Sequence, residues 1–348
     1  MDGATQETAA GRRTRRRPSM ADVAAMAGVS SQTVSRVANN RTNVEDETRQ
    51  RVLSAMRVLG YRPNTAARAL VTGQFRTLGL ISFGLGSFGN ARTVDSITRA
   101  AQRAGYTVNM IAIESQTEQA VHEAFDQLTM QAVDGIVLIE AQILDTPALR
   151  LPPGVPVVMA DGDVSHRHPM VDTDQALGAR LITRHLLDLG HETVWHVAGP
   201  EDSYAARRRA ESWHATLKEA GAAVPQLLYG DWSAGSGYEA GRVLARRPGV
   251  TAVFAANDQM ALGVMRAMVQ AGRRVPEDVS IAGFDDLDES AYLSPPLTTV
   301  RQDFDVVADR IVSLMIDQIE GGTVPSATAF VGPELIVRES TAAPPPSA

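Results

Sequence analysis

The sequence predicts a small all-α helix-turn-helix head followed by an α/β core of two doubly wound parallel-sheet lobes. Three observations predict it. The stretch Met20 to Asn40, MADVAAMAGVSSQTVSRVANN, has the spacing of two short helices joined by a tight turn. From residue 77 to 340, apolar runs of strand length alternate with helical patterns, the signature of parallel sheets. Those units are too many for one sheet of usual size, so they divide between two.

Taken in order, residues 1–17 end in GRRTRRR, lack periodic apolar positions, and are expected to be a disordered basic arm. Residues 18–64 form the head. Val23, Ala24 and Ala27 share one side of the first helix, and Val34 and Val37 one side of the second. Gly28 ends the first helix in the left-handed conformation. Ser30 or Ser31 caps the second. That second helix exposes Ser31, Gln32, Thr33, Ser35 and Arg36, with Asn39 just past its end. Such a helix suits the DNA major groove, where Gln pairs with adenine and Arg with guanine. VEDETRQRVLSAMRVLGY is a third helix with Val44, Val52, Leu53, Met56 and Leu59 facing inward and Gly60 stopping it. Residues 65–76 are a hinge or linker. Pro63 blocks the preceding helix, Asn64 caps a short TAARAL helix, and a helix so short is unstable in water unless docked.

The body, 77–340, carries the strand runs TLGLISF, VNMIAI, GIVLIE, VPVVMA, TVWHVAG, TAVFAAND and VSIAGFDD. Between them lie the helices VDSITRAAQRAG, AVHEAFDQLTMQ, ALGARLITRHLLDLG, RRAESWHATLKEAG and MALGVMRAMVQAG. Two doubly wound lobes place a ligand in the cleft at the strand C-termini. Residues 341–348, the proline-rich TAAPPPSA, are expected to be a disordered tail.

Composition narrows the function. The chain has 348 residues, 44% hydrophobic, and no cysteine, which removes disulfides, thiolate metal sites and thiol nucleophiles. No apolar run approaches the roughly 20 residues that span a bilayer, and no apolar stretch follows the N-terminal arginines as in a secretory signal. No membrane partner and a cytoplasmic, nucleoid-associated location are therefore expected. The net charge of −7 is uneven: residues 1–77 carry 13 Lys+Arg against 6 Asp+Glu, and the remainder 20 against 34. A basic head on an acidic body fits a polyanion partner for the head alone.

Polar residues stand where strands end: Asp161 after VPVVMA, Asn257 and Asp258 after AVFAA, Asp285 and Asp286 after VSIAGF. Arg209 begins a helix, Trp232 lies in GDWS and Gln302 in VRQDF. Carboxylates and amides beside an aromatic face suit a sugar. Asp258 and Asp286 also fit helix caps or structural acids, Trp232 a core residue, and Arg207 and Arg208 surface charge. In the loop SFGLGSFGNA, Phe83 or Phe88 faces the pocket. The same loop holds Gly84, Gly86 and Gly89 in G-x-G-x-x-G spacing after a strand, with Glu114 further on, so a dinucleotide-dependent oxidoreductase is a remote alternative. No catalytic constellation accompanies it, no G-x-S-x-G elbow appears, and His185, His191 and His196 lack metal-ligand spacing. No enzyme, cofactor or metal is expected.

These motifs together resemble the lactose-repressor/galactose-repressor (LacI/GalR) family of bacterial transcription regulators. The resemblance runs from about Met20 to about Ser340. It rests on ADVAAMAGVSSQTVSRVAN, YRPNTAARAL, HLLDLGH, GDWSAGSGYEAG, AANDQMALGVMRAM and SIAGFDDLDESAYLSPPLTTVRQDF, in the family's order. It implies a homodimer on double-stranded operator DNA and a body like periplasmic sugar-binding proteins. Ser31, Gln32 and Arg36 match base-reading positions, Ala67 and Leu70 hinge-helix positions, with Leu70 the minor-groove wedge. Arg209, Trp232, Asn257, Asp285 and Gln302 match effector contacts, with Asp161 nearby. Ala205 and Ser212 depart from common family residues, so the pocket chemistry is this chain's own. The expected function is repression of carbohydrate-utilisation genes, released from a palindromic operator by a sugar, with the galactoside type as a candidate. A purine or other corepressor on the same architecture is the alternative.

Overall fold

A computed structural model describes residues 18–38, 43–62, 73–114, 117–139, 154–162, 168–322 and 328–346. The chain divides into two compact units, Met1–Phe75 and Arg76–Ala348.

The head unit is three helices: α1 (Met20–Ala27), α2 (Ser31–Ala38) and α3 (Asp46–Leu59). A capping box starts α1. Ser19 Oγ accepts from the Asp22 backbone N–H at 3.3 Å, and Asp22 Oδ2 accepts from that of Ser19 at 2.7 Å. Gly28 ends α1 at φ 65°, and Ser30 rather than Ser31 caps α2, its Oγ accepting from Thr33 N–H at 3.1 Å. Val23, Ala24, Ala27, Val34, Val37, Val52, Ala55 and Met56 form the core. Two expectations need correction. Helix α3 starts at Asp46, so Val44 packs on the core from outside it. Leu53 is 38% exposed. The buried stripe of α3 runs through positions 52, 55, 56 and 59, and position 53 lies about 100° around the helix from 52.

The body begins with β1 (Thr77–Phe83), α4 (Phe88–Arg103), β2 (Thr107–Ile113), α5 (Glu118–Met130), β3 (Gly135–Ile139), β4 (Val157–Ala160) and β5 (Met170–Thr173). It continues with α6 (Gln175–Asp188), β6 (Trp195–Ala198), α7 (Tyr204–Glu219), β7 (Leu228–Tyr229), α8 (Ala234–Ala245), β8 (Ala252–Ala255), α9 (Asp258–Gln270) and β9 (Ser280–Ala282). A 3-10 turn, Asp288–Tyr292, leads to β10 (Thr299–Arg301), α10 (Phe304–Ile319), β11 (Thr328–Val331) and β12 (Glu334–Ile336).

Two parallel sheets result. The first has the order β11-β5-β4-β3-β1-β2 and the second β7-β6-β8-β9; β10 and β12 pair antiparallel beside the second. Strand order reverses between β1 and β3 in one sheet and between β6 and β8 in the other, the positions where such sheets open a crevice. Each sheet is covered on both faces, which is why its strands read as continuous apolar runs. In the first lobe α4 and α10 pack one face through Ile97, Ala101, Ile311 and Met315, and α5 the other through Val121, Phe125 and Leu128. In the second, α8 and α9 cover one face and α6 and α7 the other.

Because β11 belongs to the first sheet, the chain crosses between lobes three times: after β5, after β10 and after β11. Helices α8 and α10 and strands β5, β7, β10, β11 and β12 are not named in the sequence reading; the strands have two to four residues each, too few to show a period. The expected disordered tail at 341–348 is also corrected in its described part. Thr341 Oγ1 bonds with His185 Nε2 at 2.9 Å and Thr298 Oγ1 at 3.0 Å. The Ala342 N–H donates to Ser280 Oγ at 2.9 Å, and its carbonyl bonds with His191. These bonds use backbone and hydroxyl groups, so apolar content does not foretell them.

Candidate functional site

On the head, the α2 residues Ser31, Gln32 and Arg36 are exposed and Thr33 and Ser35 half-buried, while Val34 and Val37 turn into the core. The helix presents one polar face with its backbone held from behind. Asn39, Asn64, Ala67 and Leu70 lie outside the described residues.

In the body, strand C-termini of both lobes open on a cavity of about 540 Å³. All seven residues expected at the ligand line it: Phe83 and Asp161 from the first lobe, Arg209, Trp232, Asn257 and Asp285 from the second, and Gln302 at a crossover. Both phenylalanines offered as alternatives are there. Phe88 joins Phe83, and meets Phe304 edge-to-face at 6.2 Å. Three non-glycine lining residues have positive φ: Asp161 at 45°, Trp232 at 71° and Asp285 at 109°. Such conformations cost about 1–3 kcal/mol each and persist where the surroundings over-determine them.

The polar groups close a ring. Arg209 Nε donates to Gln175 Oε1 at 2.8 Å, and Gln175 Nε2 donates to Gln302 Oε1 at 3.1 Å. Gln302 Nε2 donates to Asp285 Oδ1 at 2.7 Å, and Asp285 Oδ1 lies 3.7 Å from Arg209 Nη2. Arg209 Nη1 also donates to the Ala256 carbonyl. The guanidinium sits 3.7 Å from the Phe284 ring centre and 5.5 Å from that of Trp232. Burial pushes the Asp285 carboxyl up to about 6, against the opposing pull of Arg209 and Gln302. Burial likewise draws the Arg209 guanidinium down, and Asp285 is the main charge opposing this.

Asn257 does three things at once. It lines the cavity, its Oδ1 caps α9 by accepting from Met260 N–H at 2.8 Å, and its Nδ2 donates to the Trp232 carbonyl at 3.0 Å. The Trp232 indole rests on Gly199, where any Cβ would come within 2.4 Å of the ring. Trp232 is thus a half-buried wall, neither free nor fully core. Asp258 and Asp286 are structural acids. Asp258 accepts from Leu287 N–H, Ser290 Oγ and Thr299 Oγ1, and Asp286 binds Arg301 and Arg338. Burial, then the Asp285 charge, raises Asp258 to about 7.

Arg208, expected as surface charge, is instead tied to Asp172 Oδ2 at 2.5 Å with its side chain 17% exposed. Gln175, Phe304 and Gly199 also escaped the sequence reading. His196 stacks on Phe254 at 4.4 Å, and burial pulls it down to about 4, so it is a neutral core residue. The glycine-rich loop serves the fold: Ser87 caps α4 and Asn90 Nδ2 donates to the Phe83 carbonyl at 2.7 Å. A Cβ at Gly89 would meet no atom within 4 Å, so the close helix–strand packing that a dinucleotide fingerprint requires of its third glycine is not seen at this position.

Residues 19–64 match the model for bacterial regulatory proteins of the lacI family, and residues 183–341 that for a periplasmic binding protein-like domain. The Lactose operon repressor of Escherichia coli (strain K12) is 34% identical over 337 residues, covering 93% of this chain and 90% of that protein. The chain belongs to the LacI family. The HTH-type transcriptional regulator CelR of Thermobifida fusca is 36% identical over 343 residues, covering 94% of this chain and 99% of its own. Among solved structures, the lac repressor dimer bound to operator and the anti-inducer ONPF matches with a TM-score of 0.81 at 32% identity, over 94% of this chain and all of that one. A CelR–cellobiose complex matches with a TM-score of 0.68 at 32% identity, over 93% and 100%. This LacI-family protein is a DNA-binding transcription regulator and not an enzyme, which removes the oxidoreductase alternative.

Proposed function

We propose that this LacI-family regulator is a homodimeric repressor of carbohydrate-utilisation genes, released from a palindromic operator when a sugar occupies the cavity between its lobes. The observation that carries the reading is the closed ring of Arg209, Gln175, Gln302 and Asp285 beside Trp232. A carboxylate and amides held in fixed directions can bond vicinal hydroxyls, and an indole can cover the apolar side of a pyranose. Phe83, Asp161 and Asn257 complete the contact set. The names of relatives support it: one represses a lactose operon, and another is seen with cellobiose.

On the head, Ser31, Gln32, Thr33, Ser35, Arg36 and Asn39 are the groove-facing set, and Asn64, Ala67 and Leu70 the hinge set. Two heads on a dimer call for two half-sites related by symmetry. The protein works in the cytoplasm, at its operator on the chromosome. For the ligand to act, it must bind the operator-released arrangement more tightly than the operator-bound one.

Fluorescence anisotropy of a palindromic operator from the gene's own upstream region tests this at fixed salt. Titration with galactosides, glucosides and cellobiose should release the DNA for one sugar class. Release by no sugar, or tightening by a purine, overturns the effector class and leaves the DNA function.

A further inference from the structure

Neighbouring arginines on α7 face different surroundings. Arg209 is enclosed by its own lobe and the crossovers. Arg208 reaches out of its lobe: Nη1 donates to Asp172 Oδ2 at 2.5 Å, and Nη2 donates to the Gly162 carbonyl. Asp172 is in β5 and Gly162 follows β4, both in the first sheet, whereas α7 packs on the second. The second oxygen of Asp172, Oδ1, accepts from the Thr173 N–H at 2.6 Å. Asp161, at φ 45°, precedes the Gly162 carbonyl that Arg208 holds.

We propose that Arg208 and Asp172 form a latch between the two lobes, holding their relative angle and thereby setting how much effector is needed for release. The pair is largely withdrawn from solvent, with side chains 17% and 6% exposed. Separating it leaves two charges poorly solvated, which is far costlier than breaking a surface pair. A movement that draws α7 from the ends of β4 and β5 must break both Arg208 bonds together. The lobes then have discrete positions and no continuous range. Asp172 also lines the cavity, so a bound ligand meets the latch directly. The claim about lobe angle stands without the effector reading; the claim about sensitivity rests on it.

The chain has no cysteine, so introduced cysteines report alone. Met130→Cys at the end of α5 and Lys218→Cys on α7 place one spin label in each lobe, both at exposed positions. Labelled chains diluted into unlabelled protein give the distance within one protomer. The ligand-free wild type should give one narrow distribution. Asp172→Leu/Arg208→Met, which leaves neither charge unpaired, should give a broadened or second population while unfolding as cooperatively as wild type. Arg208→Lys, which cannot bridge both acceptors, should fall between. A double variant whose distances superimpose on wild type overturns the latch.

In operator anisotropy titrated with cellobiose and with lactose, the sugar that releases wild type should release Arg208→Lys, which leaves the cavity-lining Asp172 in place, at a concentration about threefold lower or less, because the ligand works against a weaker latch. An unchanged or higher concentration overturns the claim about sensitivity. A wild type that neither sugar releases counts against those effectors, and the distance measurement still decides the latch.

Discussion

The head and the body place the side chains proposed to read DNA and to hold the effector in opposite environments. In the head the core is wholly apolar, and Gln32 and Arg36 stand in solvent on a helix held from behind. In the body Arg209, Asp285, Gln302 and Gln175 are all buried and bonded to one another. The difference follows from what each must recognise. A DNA groove brings its own donors and acceptors to an exposed helix, so the head needs only a fixed backbone. A small ligand entering a cavity must find polar groups already oriented, and groups kept out of water must satisfy one another first. Substitutions on the reading face of the head should therefore alter binding with little effect on stability. Substitutions in the body ring should alter both.

Arg209→Ala should show the largest effect. It leaves Asp285 buried without its cation and empties the space between Phe284 and Trp232. Removing one partner of a buried ion pair costs about 3–5 kcal/mol. Urea unfolding of the body should show that loss. At low denaturant the variant should still hold operator DNA but ignore effector. Release at the wild-type ligand concentration would show that the ring is not the site.

The buried acids predict a pH dependence confined to the body. An unfolded Asp titrates near ~3.9, whereas the folded Asp285 and Asp258 are raised to about 6 and about 7. Across that interval the folded state binds more protons than the unfolded one. The contribution is complete below the unfolded value and is lost as pH rises through the folded values. Asp258→Asn should flatten the fall in body stability between about pH 4 and 7. Denaturation midpoints measured across that range check it; parallel wild-type and variant curves would refute the assignment.

The head counterpart is Gln32→Ala. A bidentate side-chain contact to a base is worth about 1–3 kcal/mol of discrimination. Operator affinity should fall by about that amount and discrimination at one base pair should relax, with the ligand response and thermal stability unchanged. A uniform loss over all operator variants would instead mark Gln32 as a phosphate contact.

The same contrast explains what was legible in the sequence. The described head lies within some 45 consecutive residues, so helical spacing sorted its core from its polar face; Leu53, the start of α3 and the half-buried Thr33 and Ser35 were misplaced. The cavity is assembled from strand ends far apart in the chain. Strand-end position and the family motifs pointed to Arg209, Asp285 and Gln302, but no local pattern marks Gln175, the first residue of a helix. Three arginines in a row, Arg207 to Arg209, look alike on paper. On a helix they point about 100° apart: Arg207 stays exposed, Arg208 crosses to the other lobe and Arg209 enters the cavity. Helix α10 had a readable stripe in Val307, Ala308, Ile311, Val312 and Met315; its return to the first sheet was not readable, because a period says which face is buried and not against what.

The smallest expected effect tests whether the head depends on its backbone frame as argued. Ser30 Oγ accepts from the Thr33 N–H at 3.1 Å and lies 3.0 Å from Thr33 Oγ1, at the end of α2 that points its first residues outward. Ser30→Ala removes the cap, a loss of about 1 kcal/mol, from a core built on only eight buried side chains. Fraying at this end displaces Ser31 and Gln32 together without removing either side chain. Operator affinity should therefore weaken by up to about fivefold, the equivalent of that cap energy, with base preference retained, and hydrogen exchange should quicken at Thr33 and Val34. Ser30→Asp restores an acceptor at the same point and should recover the exchange protection. If Ser30→Ala exchanges like wild type, the turn between α1 and α2 is held by Gly28 and the apolar core without the cap, and the frame is sturdier than its size implies.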